Sequence, residues 1–132
     1  MMLNDYMMKM NIVMPKTSIH LDKKVYEAGS NINGTLEVKG SLLKNKIKRY
    51  DIDLISTEIN SNKEETLNSY TVLCSHDCLP NKTQTIQFLF NVPEEIKNHS
   101  NSFRYSLLFR IVLVNSKSIT QIIPVHIENG IG

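Results

Sequence analysis

The sequence predicts an all-β fold, an antiparallel, immunoglobulin-like β-sandwich of about seven strands. Two observations lead to this prediction. Apolar and polar residues alternate in segment after segment, which is the pattern of strands that bury one face. Clusters of turn-forming residues separate these segments, and no window of ten residues carries the apolar stripe of an amphipathic helix.

The first half of the chain carries three of the predicted strands. Residues 17–21 form the first, and residues 31–38 form the second, with apolar side chains on one face and polar side chains on the other. The third, residues 47–59, alternates regularly up to Leu54 and changes parity at Ile55. Because a slip of one residue turns every later side chain to the other face, this change predicts a bulge or a change of sheet near Ile55.

The second half carries the remaining predicted strands, at residues 67–76, 85–92, 103–114 and 119–127. In the strand at 103–114 both faces become apolar toward the end, which indicates a central strand or one covered on both sides. In the last strand Pro124 lies on the outward parity, which is typical of an edge or a bulge.

The length of 132 residues is typical of a single domain. We assign residues 16–132 to that domain and residues 1–15 to a flexible leader or a lead-in to the first strand. The leader has no uninterrupted apolar stretch and no cleavage site of the signal-peptide kind, because charges at Asp5 and Lys9 interrupt it. No apolar run reaches the length of a membrane span. We therefore expect a cytoplasmic protein, with any membrane contact peripheral.

One cluster has metal-ligand chemistry. Cys74, His76 and Cys78 are spaced by two, so a strand would direct all three to one face, and thiolates and imidazole are zinc ligands. A structural zinc site needs four ligands, however, and paired Cys-x-x-Cys motifs are absent. The favoured interpretation is that Cys74 packs as a small apolar residue and that His76 and Cys78 lie in a turn ending at Pro80. A metal or small-ligand site at this cluster remains the alternative.

The sequence offers no catalytic residue and no cofactor site. There is no Gly-x-Ser-x-Gly motif and no glycine-rich loop leading into a helix. The adjacent carboxylates, Glu64 with Glu65 and Glu94 with Glu95, point apart as sequence neighbours and cannot face each other as an acid/base pair. The short basic run at residues 44–49 is interpreted as solvated, and exposed aromatics are too few for a nucleic-acid platform. The sequence therefore predicts a binding protein and not an enzyme.

Three motifs resemble those of arrestin-like domains. Leu-Asp-Lys at 21–23 and Tyr-Glu-Ala-Gly-Ser at 26–30, followed by Gly34, resemble the opening of such domains, where Tyr-x-Pro-Gly-Glu precedes a glycine. Ala28 replaces the usual proline and Ser30 the usual glutamate. Residues 88–93 look like the Phe-x-Phe-x-x-Pro strand and turn, and residues 105–107 are similar to the Tyr-x-Leu strand that follows. The region at 40–55 looks most like the bacterial sporulation-control branch.

This resemblance implies an arrestin-like first domain that acts as an adaptor or regulator through protein partners. For the sporulation-control branch it implies a cytoplasmic regulator of development or cell-cycle signalling. For eukaryotic relatives it implies a trafficking adaptor of the retromer-subunit type. The chain ends where the first domain of a typical arrestin ends, so properties of a second domain are not carried over.

We expect the partner to bind by adding a strand to a sheet edge. The candidate edges are the strands at 17–21 and 119–127, with Gln121, taken as outward-facing, and Ile123 as the candidate contact positions. Self-assembly into a homodimer through such an edge is a further alternative.

Overall fold

The computed structural model describes residues 14–41, 44–98, 102–114 and 117–128. Within these ranges it contains eight strands and no α-helix, so the all-β prediction is confirmed. The strands are β1 (Lys16–Leu21), β2 (Val25–Glu27), β3 (Asn31–Lys39), β4 (Asn45–Glu58), β5 (Glu64–Cys78), β6 (Thr83–Asn91), β7 (Phe103–Leu113) and β8 (Ser118–Glu128), and a 3-10 turn (Glu94–Asn98) follows β6. The strand that sequence reasoning missed is β2, whose three residues are too few to show an alternation. Of the predicted leader, only Met14 and Pro15 lie among the described residues.

The strands form two sheets of unequal width. The smaller sheet has the order β1-β3-β6, and the larger has the order β2-β8-β7-β4-β5. All pairs are antiparallel except β2 with β8, which is parallel. β7 lies between β8 and β4, which confirms the central position predicted from its two apolar faces.

A single apolar core lies between the two sheets, because each strand alternates between inward and outward side chains. In β6, for example, Ile86, Phe88 and Phe90 are buried, whereas Leu89 is 58% exposed on the other face, as predicted. The ring of Phe88 meets that of Phe109 on β7 edge to face, with centroids 5.1 Å apart. This contact joins the inward faces of the two sheets.

The bulge predicted near Ile55 is present, but it lies in the neighbouring strand. Leu54 pairs with Asn68 and Ile55 pairs with Thr66, so the extra residue is Leu67 on β5. β4 keeps its own alternation, because Ser56 is only 1% exposed and its hydroxyl contacts a backbone oxygen of β5. The apolar Ile55 therefore reflects its position on the outward face of the sheet and not a change of parity in β4.

The turn between β1 and β2 is held by a buried tyrosine. The Tyr26 hydroxyl donates to the carboxylate of Asp22, and the backbone N–H of Lys23 donates to the same hydroxyl at 3.1 Å. Burial and the hydrogen bond to Asp22 raise the pKa of Tyr26 to about 12, and the hydrogen bond from Tyr26 lowers the pKa of Asp22 below its ordinary 3.8. Gly29 follows with φ of 84°, a conformation that glycine adopts without strain.

Replacing Tyr26 with Phe removes both hydrogen bonds of the hydroxyl and should lower the free energy of unfolding by about 1–2 kcal/mol at neutral pH. Because the folded state lowers the pKa of Asp22, ionised Asp22 stabilises the fold above pH 3.8. This stabilisation is lost as the pH falls through the pKa that Asp22 has in the folded state. The difference between wild type and Tyr26→Phe should therefore shrink in acid, as measured by urea unfolding across pH. Asp22→Ala removes the acceptor, so the double variant should lose less than the sum of the two single variants; additive losses would contradict the assignment.

Gly40 gives a second test, because it lies against backbone. A Cβ at Gly40 would come within 2.0 Å of the Leu79 carbonyl oxygen, whereas one at Gly29 would meet the flexible Glu94 side chain at 3.0 Å. We expect Gly40→Ala to cost about 2–3 kcal/mol in urea unfolding. The control Gly29→Ala should cost about 1 kcal/mol, from its positive φ. Equal losses in the two variants would show that the backbone around Gly40 relaxes freely.

Candidate partner-binding surface

The two edges proposed from the sequence meet on one side of the sandwich. β1 is an edge of the smaller sheet, and β8 lies second from the edge of the larger sheet, where β2 pairs with it only at residues 126–128. The hydroxyl of Thr17 on β1 donates to the amide oxygen of Gln121 on β8 at 2.9 Å. Polar side chains therefore close the gap between the sheets on this side.

The outward assignment of Gln121 was wrong. Gln121 pairs with Phe109, which is fully buried, and directly paired residues share a face of the sheet. Gln121 and Ile123 are both half-buried and face inward. The outward residue between them is Ile122, which is 62% exposed.

The cysteine–histidine cluster lies on the last part of β5, so the prediction that His76 and Cys78 lie in a turn was wrong: both are in the strand, which pairs with β4 as far as Cys78. Cys74 is half-buried with its Sγ 3.8 Å from the Ile47 carbonyl oxygen, His76 is exposed, and Cys78 is buried. Both cysteines are free. The pairing of β5 with β4 shifts register here, since Ile47 pairs with His76 but Arg49 pairs with Leu73. This shift interrupts the regular alternation of side chains that the sequence prediction assumed for Cys74, His76 and Cys78. In the described part of the chain no three His, Cys, Asp or Glu side chains converge on a common metal position.

A serine, a histidine and a carboxylate also meet on the outward face of the smaller sheet. The Ser18 hydroxyl lies 3.4 Å from His20 Nε2, and Glu37 Oε2 lies 3.5 Å from the same nitrogen. In a hydrolase triad the acid instead orients the imidazole through its other ring nitrogen. The side chains of His20 and Glu37 are also 59% and 45% exposed. A groove of about 480 Å³ runs from His20 across Gly34. This geometry matches a solvated cross-strand cluster.

The opposite side of the sandwich is almost without charge. From Thr66 to Asn91 only Asp77 and Lys82 are acidic or basic, and both lie at or beyond the end of the β5 edge. This stretch supplies β5 and β6, each an edge strand of its sheet. The two strands approach each other where Asn68 Nδ2 donates to the Asn91 carbonyl oxygen at 3.0 Å. We call residues 66–75 of β5 together with β6 the uncharged side.

The backbone of β6 has a free edge along this side. The N–H of Val92 donates to the Ser30 carbonyl oxygen, and the Val92 carbonyl oxygen accepts from the Gly29 N–H, both at 2.9 Å. The backbone N–H and C=O of Val92 are therefore directed toward β3. Because consecutive residues of a strand direct their N–H and C=O groups to opposite sides, the odd-numbered residues of β6 are directed away from β3. β3 is the only ladder partner of β6 among the described residues. The backbone N–H and C=O groups directed away from β3, in the plane of the sheet, belong to Thr83, Thr85, Gln87 and Leu89.

Two apolar side chains on β5 lie uncovered beside this edge. Tyr70 pairs with Ile52 and Val72 pairs with Tyr50, and both partners are buried, so Tyr70 and Val72 face inward. They are nevertheless 41% and 37% exposed. The smaller sheet ends at β6, where the ring of Phe90 meets that of Tyr70 at 4.9 Å, and in the described part of the chain no further strand covers β5.

We call the space beside the free edge of β6 and over Tyr70 and Val72 the open slot. Sequence reasoning did not find it. The lack of charge from Thr66 to Asn91 is visible in the sequence. That both strands are edges, and lie on the same side, depends on the order of strands in each sheet.

Known proteins resemble this chain in structure and not in sequence. No protein-family model matches the chain, and no curated protein matches it in sequence. Among solved structures, the crystal structure of Spo0M, a sporulation control protein from Bacillus subtilis, matches with a TM-score of 0.73 and 19% sequence identity. The match covers 87% of this chain but 49% of Spo0M, so this chain spans about half the length of that protein. The likeness confirms the arrestin-like fold expected from the sequence motifs.

The geometry of the two cysteines predicts low reactivity. Burial raises the pKa of both thiols, and the nearby Asp77 carboxylate raises that of Cys78 further, so little thiolate is present at pH 7. We expect Cys78 to react with a chromogenic disulfide reagent at least about tenfold more slowly than Cys74, measured on the Cys74→Ser and Cys78→Ser variants. Both should react rapidly in denaturant. Protection of both thiols by added zinc would instead support the metal-site alternative.

Proposed function

We propose that this chain is a non-enzymatic regulatory module that binds other proteins, and that it binds them through the uncharged side. The observation that carries the proposal is the combination found there: edge strands of both sheets, with little charge and with exposed apolar residues such as Tyr70 and Leu89. Unpaired strand edges are templates for another chain, and folded proteins normally blunt them with lysine, proline or shortening.

The other edge strands in the described ranges, β1 and β2, are blunted in that way, which supports the choice of side. β1 is short and carries Lys16 and His20. β2 has three residues and ends at Glu27. By contrast β6 has nine residues with no charge, no proline and no register shift against β3. Strand addition at such an edge is an established mode of peptide recognition.

The fold supports a regulatory role. Spo0M is described as a sporulation control protein, and this chain has the fold of about half of it. We place the chain in the same broad functional class, a sporulation-control type of regulator that acts in the cytoplasm through protein partners. No helix in the described ranges is both long and apolar enough to cross a membrane.

The proposal is tested by affinity capture from a lysate of the producing organism, followed by mass spectrometry, with matched charge variants. Leu89→Lys places a charge on the uncharged side, and Ile122→Lys places the same charge at a similarly exposed apolar residue, 58% and 62% exposed, on the outward face of β8. We expect a partner that wild type and Ile122→Lys retain, and that Leu89→Lys binds at least about tenfold more weakly.

Two results would contradict this proposal. A folded wild-type chain that captures no partner contradicts the binding function. A partner lost with Ile122→Lys and retained with Leu89→Lys moves the site to the outward face of the larger sheet. Circular dichroism of each variant checks that the fold is unchanged.

A further inference from the structure

We infer that the open slot binds one extended strand donated by a partner protein, uncharged and apolar at alternate positions. This inference rests on the proposed function and specifies the partner of the same site. Three features of the slot define its occupant. They are the free backbone edge of β6, the apolar floor formed by Tyr70 and Val72, and the limited volume between this edge and β5.

The backbone edge requires an extended segment. The N–H and C=O groups of Thr83, Thr85, Gln87 and Leu89 are directed into the slot at every second residue, and only a strand presents complementary groups at this spacing. At one end the amide of Asn68 already occupies the Asn91 carbonyl, and at the other end the chain crosses from β5 to β6 through residues 79–82. These limits define a site for a strand about seven residues long.

The floor determines which side chains the strand carries. A strand added to β6 would continue the smaller sheet over β5, and its inward side chains would cover Tyr70 and Val72. Side chains of a strand alternate between its faces, so the strand must be apolar at every second residue. The edge and the floor contain no charged residue that could pair with a charge on these inward positions, and burying an unpaired charge is strongly unfavourable.

The space excludes a second folded copy of this chain that pairs β6 with β6. In such a two-fold pair each β6 would take the place of the added strand in the other copy. Beneath that place lies β5, held at the free edge of β6 by the 3.0 Å contact of Asn68 with Asn91. Each β6 brings its own β5 with it, through the contacts of Asn68 with Asn91 and of Tyr70 with Phe90, so the larger sheets of the two copies would occupy the same volume. A single strand, which has no second sheet, avoids this collision.

The chain itself supplies a probe for the open slot. A synthetic, fluorescently labelled peptide with the sequence of β6, residues 83–91, is uncharged and apolar at alternate positions. We expect it to bind the folded 132-residue chain, as measured by fluorescence anisotropy. Binding should slow the amide hydrogen exchange of Thr85, Gln87 and Leu89 at least about tenfold, because these N–H groups gain partners. The amides of Ile86 and Phe88, directed toward β3, should change little.

Two neighbouring residues of β5 provide a matched pair of variants. Val72→Glu places a carboxylate on the floor of the slot, and Leu73→Glu places the same group on the opposite face, where the residue is 78% exposed. We expect Val72→Glu to weaken peptide binding at least about tenfold and Leu73→Glu to leave it unchanged. Gln87→Pro removes one N–H from the free edge without removing a bond to β3, and should weaken binding in the same way.

The possible outcomes separate this inference from the proposed function. Absence of peptide binding, equal effects of the two glutamate variants, or protection of β1 amides instead of β6 amides would each overturn the inference. If lysate capture still depends on Leu89 in that case, the proposed function survives without the donated strand. Peptide binding with the expected protection, lost in Val72→Glu and Gln87→Pro, supports the inference.

Discussion

The structure depends on one constraint, the enclosure of a single apolar layer by two sheets of unequal width. Alternation gives every long strand one apolar face, and that face must be covered by the opposite sheet. Three strands cover the inward faces of β8, β7 and β4, through contacts such as Phe88 with Phe109. The fifth strand of the larger sheet extends past this cover. The exposure of Tyr70 and Val72 follows directly from this difference in width.

The two sides of the sandwich resolve this constraint differently. Where β1 meets β8, Thr17 and Gln121 close the gap with a hydrogen bond, and charged residues occupy the nearby edges. Where β5 meets β6, one contiguous piece of chain supplies both edges through the turn at residues 79–82. The carbonyl of Leu79 packs against Gly40 at this turn, which holds the start of β6 against the end of β3. The open slot is therefore supported by well-packed backbone at the turn end.

Periodicity predicted what depends on one strand, and it missed what depends on the assembly of strands. The outward position of Leu89 and the central position of β7 followed from alternation alone. The bulge was placed at the correct point along β4 but in the wrong strand, because a register shift belongs to a pair of strands and only one of them was considered. The inward direction of Gln121 is set by its pairing with Phe109. The slot needs the order of both sheets, which no local pattern encodes.

The same property that makes β6 a binding edge also makes it a liability. A strand of nine uncharged residues, rich in threonine, glutamine and phenylalanine, has the composition of segments that aggregate through their edges. Two features limit open-ended pairing: the side chain of Asn68 occupies the last outward carbonyl of β6, and β5 blocks the approach of a second complete copy. A single flexible strand passes both restrictions. The geometry thus discriminates by the shape of the incoming chain, admitting an isolated extended segment and rejecting another folded sheet.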